Sequence, residues 1–173
     1  MRRPPPSSPK AAPYITPQGY LRLQQELNTL WQRRTTMTQA LAAAAAEGDR
    51  SENAEYIYRK KELREIDRRI RYLQRRLPNL TVVNEPPSEK QRIFFGAWVS
   101  LEDNKGRRVN YRIVGPDEID LKRANISVDS PLAQALLKKS VDDEVTVNTP
   151  KGATTYHVIA VSYSPPGAAD VSA

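Results

Sequence analysis

The sequence predicts an α+β protein of two parts, an N-terminal antiparallel coiled-coil hairpin and a small C-terminal α+β domain. Two series of apolar residues recur at intervals of three and four positions, the pattern of helices that pack along a seam. After residue 80 the pattern changes to short β-branched and aromatic segments between turn residues, which is typical of strands. This change marks the expected boundary between the two parts.

The first predicted helix begins after Thr16, a residue type that caps helices, with Pro17 at the first helical position. Its apolar series follows heptad spacing with one basic interruption at Arg34 and consists of Tyr20, Leu23, Leu27, Leu30, Met37, Leu41 and Ala44. The alanine run 42–46 adds helix propensity and lets a partner helix approach closely. We therefore expect this helix to form one arm of the hairpin.

The second predicted helix ends at Pro78, which cannot continue a helix. Its seam repeats the same spacing and consists of Leu63, Ile66, Ile70, Leu73 and Leu77. A short polar turn joins the two helices, so they should run antiparallel. Arms of about 30 residues, at about 1.5 Å per residue, would form a rod of roughly 45 Å.

The C-terminal part is predicted to contain five strands and one helix. The helix spans 131–139, with Ser130 as its N-cap and Pro131 at its first position. The predicted strands are 94–101, 108–114, 125–128, 144–148 and 154–163. The expected domain organisation is a disordered proline-rich tail at 1–13, a hairpin at 14–80, a linker at 81–93, the second domain at 94–163 and a disordered tail at 164–173.

Composition narrows the possible functions. The 173 residues carry a formal net charge of +7, which favours a polyanionic partner such as nucleic acid. The chain has no cysteine and one histidine, which excludes disulfides, thiolate metal sites and histidine-rich zinc sites. Any metal must therefore be held by oxygen, which points to Mg²⁺ or Mn²⁺. No apolar run approaches about 18 residues, so we expect a soluble, cytoplasmic protein without membrane contact.

The polar turn carries the candidate metal ligands. Asp49 and Glu52 stand three positions apart, and two carboxylates this close can hold one Mg²⁺ ion while leaving sites to water and phosphate. The same spacing is also that of a capping box, in which the two side chains bond only to the helix terminus. Glu47 and Glu55 add more negative charge than capping requires. Spacing alone leaves both interpretations open.

The second arm is strongly basic. From Arg59 to Arg76, nine basic residues accompany three acidic ones. The excess favours a stripe that follows the phosphates of a nucleic acid, although a solvated face with i,i+4 ion pairs is the alternative. The residues predicted to guide RNA are Arg59, Lys60, Lys61, Arg64, Arg68 and Arg71.

Several of these segments together resemble the bacterial Gre transcript-cleavage factors, most closely the GreB type. The similarity extends over about residues 14–163, which is nearly everything except the two tails. The segments that carry it are 48–56 at the acidic turn, 60–73 on the second arm, and 94–99, 111–115, 126–131, 135–139 and 147–150 in the second domain.

The resemblance implies an FKBP-like second domain and a monomeric factor that binds bacterial RNA polymerase. The matching docking motif is Asp129, Ser130 and Pro131. The hairpin would enter the secondary channel of the polymerase, where Asp49 and Glu52 would share a Mg²⁺ ion with it and stimulate its cleavage of the nascent RNA 3′ end. The factor would not itself be an enzyme.

Two departures from the family pattern keep an alternative open. Glu47 stands where an apolar residue or histidine is expected, and Asp142-Asp143 lacks the usual glycine of that turn. A Gre-like regulator that enters the channel and inhibits transcription without cleavage is therefore the main rival. A basic coiled coil that only binds nucleic acid is a more distant one. A standalone nuclease is disfavoured, because two exposed carboxylates are too few ligands to fix a metal.

Overall fold

The computed structural model describes residues 10–47 and 54–167. They form two compact units. The hairpin unit is Gln18–Leu80, and the sheet unit combines the described residues of Met1–Pro17 with those of Thr81–Ala173. One unit is helical and the other is built on a sheet, which confirms the predicted α+β class.

The hairpin unit consists of two long helices. Helix α1 spans Pro17–Ala46 and helix α2 spans Ala54–Arg76, followed by a single 3₁₀ turn at Leu77–Asn79 that contains Pro78. The helix therefore starts at the predicted proline and ends before the predicted helix breaker. Ion pairs between the arms join Glu26 to Arg69 and Arg33 to Glu62, so one heptad forward on α1 corresponds to one heptad backward on α2. The arms are antiparallel, as predicted.

The predicted seam is buried mainly at the end of the hairpin that carries the helix termini Pro17 and Leu77. Its buried members are Leu23, Ile66, Ile70, Leu73 and Leu77. Leu41, Ala44 and Leu63, nearer the turn, are only half-buried. Two helices alone cover each other along one stripe, so a seam residue without a further neighbour keeps part of its surface in water.

The sheet unit contains a five-stranded sheet in the order β5-β4-β3-β7-β6. Its strands are β3 at Trp98–Asp103, β4 at Arg108–Val114, β5 at Asn125–Ser127, β6 at Glu144–Thr149 and β7 at Gly152–Ser162. The β4–β5 pair is parallel and the other pairs are antiparallel. Helix α3, Pro131–Leu136, packs on one face over a core that includes Val99, Leu101, Ile113, Val158, Ala133 and Leu136.

Two predicted boundaries in this unit are wrong. Strand β3 begins at Trp98 rather than at residue 94, because the chain first makes a turn in which Ala97 N donates to Phe94 O and Gly96 adopts φ 86°. Helix α3 ends at Leu136 rather than at residue 139, since Leu137 is extended and Lys138 has φ 68°. Both errors place a turn inside an apolar run that periodicity alone could not divide.

A second, two-stranded sheet lies where the chain passes between the units. Strand β1, Tyr14–Ile15, pairs in parallel with β2, Thr81–Val82. Thr81 N donates to Pro13 O at 2.7 Å and Val83 N to Ile15 O at 2.9 Å. The segment that leads into α1 is thus bonded to the segment that follows the hairpin. Within the described ranges, no helix is long and apolar enough to cross a membrane.

Candidate functional site

The acidic turn lies between the ends of the two hairpin helices. Helix α1 ends at Ala46 and α2 begins at Ala54, so residues 48–53 connect them. Asp49 and Glu52 fall outside the described residues, and their predicted roles stay predictions. On either side of them, Glu47 is exposed and Glu55 pairs with Arg59. Among residues 10–47 and 54–167, no group of three or more acidic or histidine side chains could hold a metal ion.

A continuous basic stripe runs along the solvent side of α2. Lys60, Arg64, Arg68 and Arg71 follow one another at steps of four, four and three residues, and all are exposed. At about 100° per residue, this stripe lies roughly 140° around the helix from the apolar seam. Lys61 adjoins it and is also exposed. None of these five side chains forms an ion pair with another residue in the described part of the chain.

Arg59 differs from the other five predicted RNA-guiding residues. It lies seven positions before Ile66 and therefore falls in the phase of the seam. Its side chain is half-buried and bonds to Glu55. The structure thus brings Lys60, Lys61, Arg64, Arg68 and Arg71 together and leaves Arg59 on the side facing α1.

The acidic residues of α2 bond mainly across the hairpin. Glu62 pairs with Arg33, and Asp67 accepts a 2.6 Å bond from Arg34 Nε. Two of the three acids that accompany the bases of α2 are therefore engaged by arginines of α1. The basic stripe keeps its charge as a result, which favours the phosphate-binding interpretation over the solvated face with i,i+4 pairs.

The predicted docking motif forms the start of α3. Ser130 Oγ accepts a 3.2 Å bond from Ala133 N, so the predicted cap is confirmed, and Pro131 is exposed at the first helical position. Asp129 is also exposed, and its Oδ2 accepts a 2.9 Å bond from Ala12 N. The loop presents a carboxylate and a proline ring side by side at the surface.

A buried carboxylate that sequence reasoning missed lies elsewhere in the sheet unit. Glu118 is 5% exposed, at the end of a 3₁₀ turn at Pro116–Glu118. Its Oε2 accepts bonds from Gly115 N at 2.8 Å and Thr16 N at 3.1 Å, and its Oε1 accepts one from the Thr16 hydroxyl. The sequence signal was weak, since Gly115-Pro116-Asp117-Glu118 reads as an ordinary turn and says nothing of Thr16.

Comparison with known protein families covers both units. The family model described as "Transcription elongation factor, N-terminal" matches residues 13–82, and the one described as "Transcription elongation factor, GreA/GreB, C-term" matches residues 88–163. The chain belongs to the GreA/GreB family of transcription elongation factors. The resemblance inferred from the acidic turn, the second arm and the docking motif is thereby confirmed.

Individual relatives place the chain with the GreB type of this family. It is 57% identical to the transcription elongation factor GreB of Pseudomonas aeruginosa over 154 residues, which covers 88% of this chain and 92% of the relative. It is 56% identical to GreB of Xanthomonas axonopodis pv. citri, with 92% and 96% covered. Among solved structures, GreA factor homolog 1 of Thermus thermophilus is 30% identical with a TM-score of 0.39, and covers 86% of this chain and 97% of its own. A score that low supports no further statement.

Proposed function

We propose that this GreA/GreB-family chain rescues backtracked bacterial RNA polymerase by stimulating the polymerase's own cleavage of the nascent RNA 3′ end. One observation carries the proposal: the chain reversal between two long antiparallel helices coincides with the acidic segment that contains Asp49 and Glu52. A helix of 30 residues extends about 45 Å, which is long enough to carry a turn through the secondary channel toward the polymerase active site.

The tip residues fit a shared Mg²⁺ ion by the chemistry of their donors. Carboxylate oxygens are the ligands this ion prefers, and two of them leave most of its coordination sites open. Asp49 and Glu52 would hold the ion together with carboxylates of the polymerase. When bound, Mg²⁺ offsets phosphate charge and lowers the pKa of a coordinated water. The factor contributes ligands and the polymerase performs the reaction, so the factor is not an enzyme by itself.

The remaining surfaces have separate tasks in this proposal. The exposed stripe Lys60, Lys61, Arg64, Arg68 and Arg71 attracts the phosphates of the extruded RNA, with Arg59 next to it. Asp129, Ser130 and Pro131 dock the sheet unit at the rim of the channel. One copy of the chain carries all three surfaces, which supports action as a monomer in the cytoplasm.

The test is cleavage of RNA in a stalled, backtracked polymerase complex. Asp49→Asn and Glu52→Gln keep the size of each side chain while removing its charge. Each should lower the cleavage rate on the order of 10²-fold, the scale for losing a group that stabilises charge in the transition state. Glu65→Gln is the matched control, because it removes one exposed acid of α2 away from the tip, and its rate should stay within about twofold.

Polymerase binding must be measured on the same variants. If Asp49→Asn and Glu52→Gln bind polymerase and still cleave at the rate of the unmodified chain, the proposed mechanism is wrong. If the unmodified chain instead lowers run-off yield on an unstalled template and releases no short RNA, the protein is the inhibitory regulator.

A further inference from the structure

The segment 10–16, which we call the N-terminal strap, is fastened to the sheet unit along its length. At one end Ala12 N donates to Asp129, and Ala12 packs against the hydrophobic core of the unit. In the middle, the rings of Tyr14 and Phe95 lie 6.0 Å apart. At the other end, Thr16 is 2% exposed and bonds twice to Glu118.

Gly115 makes room for the strap at the Glu118 end. A Cβ atom at position 115 would lie 2.1 Å from Tyr14 O, closer than non-bonded atoms approach. The backbone of the strap therefore lies directly against the turn that carries Glu118. A buried carboxylate is costly unless donors surround it, and here both oxygens are satisfied by Gly115 and Thr16.

This attachment lies where the hairpin is connected to the rest of the chain. Thr16 is followed directly by Pro17, the first residue of α1. Strand β1, just before it, is paired with β2, the first strand after the hairpin. Glu118 therefore holds the entering strand directly and the leaving strand through β1.

We propose that Glu118 is a positioning residue that anchors the entry of α1 to the sheet unit, so that docking of this unit determines where the acidic turn is delivered. The anchor itself stands on the contacts of the strap. Its consequence for RNA cleavage rests on the proposed function.

Three substitutions separate the anchor from a general loss of stability. Glu118→Ala removes all three bonds and leaves the two backbone amides without this acceptor. Glu118→Gln is the conservative variant, because its amide oxygen can accept both backbone N–H bonds while its NH₂ group donates to the Thr16 hydroxyl. Thr16→Val keeps the side-chain shape and removes only the hydroxyl bond.

The first measurement uses no polymerase. Since the chain has no cysteine, spin labels can be attached through Gln39→Cys on α1 and Asn104→Cys in the sheet unit, both exposed positions. We expect the distance distribution between the labels to become about twofold broader in Glu118→Ala and to stay narrow in Glu118→Gln. An unchanged distribution in a folded Glu118→Ala protein overturns the proposal.

The second measurement is cleavage by the full chain as its concentration is raised. Glu118→Ala should lower the maximal rate about tenfold, since small misplacements of reacting groups have effects of this size. The half-saturating concentration should stay within about twofold, whereas Asp129→Asn should raise it. Glu118→Gln should restore the maximal rate. A loss that appears only in the half-saturating concentration contradicts the positioning role.

The two measurements also distinguish failure of this inference from failure of the proposed function. If the unmodified chain cleaves no RNA, the proposed function fails and the label distances still decide the anchor. If Glu118→Ala does not fold, Thr16→Val takes its place. The distribution in Thr16→Val must then broaden measurably, and an unchanged one overturns the proposal.

Discussion

At the scale of single residues, the hydroxyl of Tyr163 joins the end of β7 to the segment before β3. It donates to Arg92 O and accepts a 2.9 Å bond from Phe94 N. Burial raises the pKa of Tyr163 above its ordinary value, and the bond from Phe94 partly opposes this shift. The neutral hydroxyl is the form that can donate to Arg92, so the folded state favours it.

Tyr163→Phe should lower the free energy of unfolding by about 1–3 kcal/mol, because two backbone groups lose their partner. Urea unfolding measures this, with Tyr58→Phe as the control, since Tyr58 is 67% exposed and should change stability by less than about 0.5 kcal/mol. Equal effects of the two substitutions would contradict this account.

The raised pKa of Tyr163 also gives its stability contribution a pH dependence. The hydroxyl ionises more readily in the unfolded chain, whose tyrosine pKa is near the ordinary value of 10.0. The contribution is therefore fully present below about pH 10 and is lost as the pH rises through the folded-state pKa. Tyr163→Phe should make the alkaline loss of stability less steep, although Tyr156, whose pKa burial also raises, keeps part of it.

At the scale of elements, the hairpin is stabilised unevenly along its length. Leu73 has no exposed surface, whereas Leu63, ten residues nearer the turn in the same seam, is half-buried. The ion pairs between the arms are partly exposed, as in Glu26–Arg69, and pairs of this kind contribute at most about 1 kcal/mol each. Apolar burial away from the turn therefore dominates the stability of the hairpin.

Leu73→Ala should destabilise the hairpin by about 2–5 kcal/mol, the cost of removing a fully buried leucine side chain. Leu63→Ala is the matched control, with the same chemical change at a half-buried position, and should cost less than half as much. Thermal unfolding followed by helical circular dichroism compares the two. A larger loss for Leu63→Ala would show that the described burial does not govern stability.

At the scale of the whole molecule, the net charge of +7 is concentrated functionally in one place. The bases of α2 keep their charge because Arg33 and Arg34 engage Glu62 and Asp67. The exposed stripe thus begins within two turns of the acidic tip. Attraction for RNA and the ligands for a metal ion lie on the same end of one hairpin.

Arg64→Gln should lower the cleavage rate about threefold to tenfold and reduce its dependence on salt, by about 0.7 in the slope against the logarithm of salt concentration per lost phosphate contact. Arg75→Gln is the control, since it lies on the same exposed stripe roughly 16 Å farther from the tip. Cleavage rates from low to high KCl provide the comparison. Identical slopes for both variants would contradict the stripe's role in guiding RNA.

Local patterns predicted what is decided within a few residues. Pro17 and Ser130 marked helix starts correctly, and the heptad spacing identified the seam and the antiparallel arms. The turn at 94–97 was missed because Phe94 and Phe95 continue the apolar run of β3. Strand β1 was missed as well, since two residues are too few to show a period.

The sequence by itself determined the α+β class, the family, the acidic turn and the basic second arm, because each is a property of residues close together along the chain. Tertiary structure decided which bases of α2 stay unpaired, that Arg59 faces the other helix, and that Glu118 holds Thr16. The partners in that last contact are 102 positions apart. Such a bond depends on how the folded sheet unit brings the two segments together, and no local pattern encodes it.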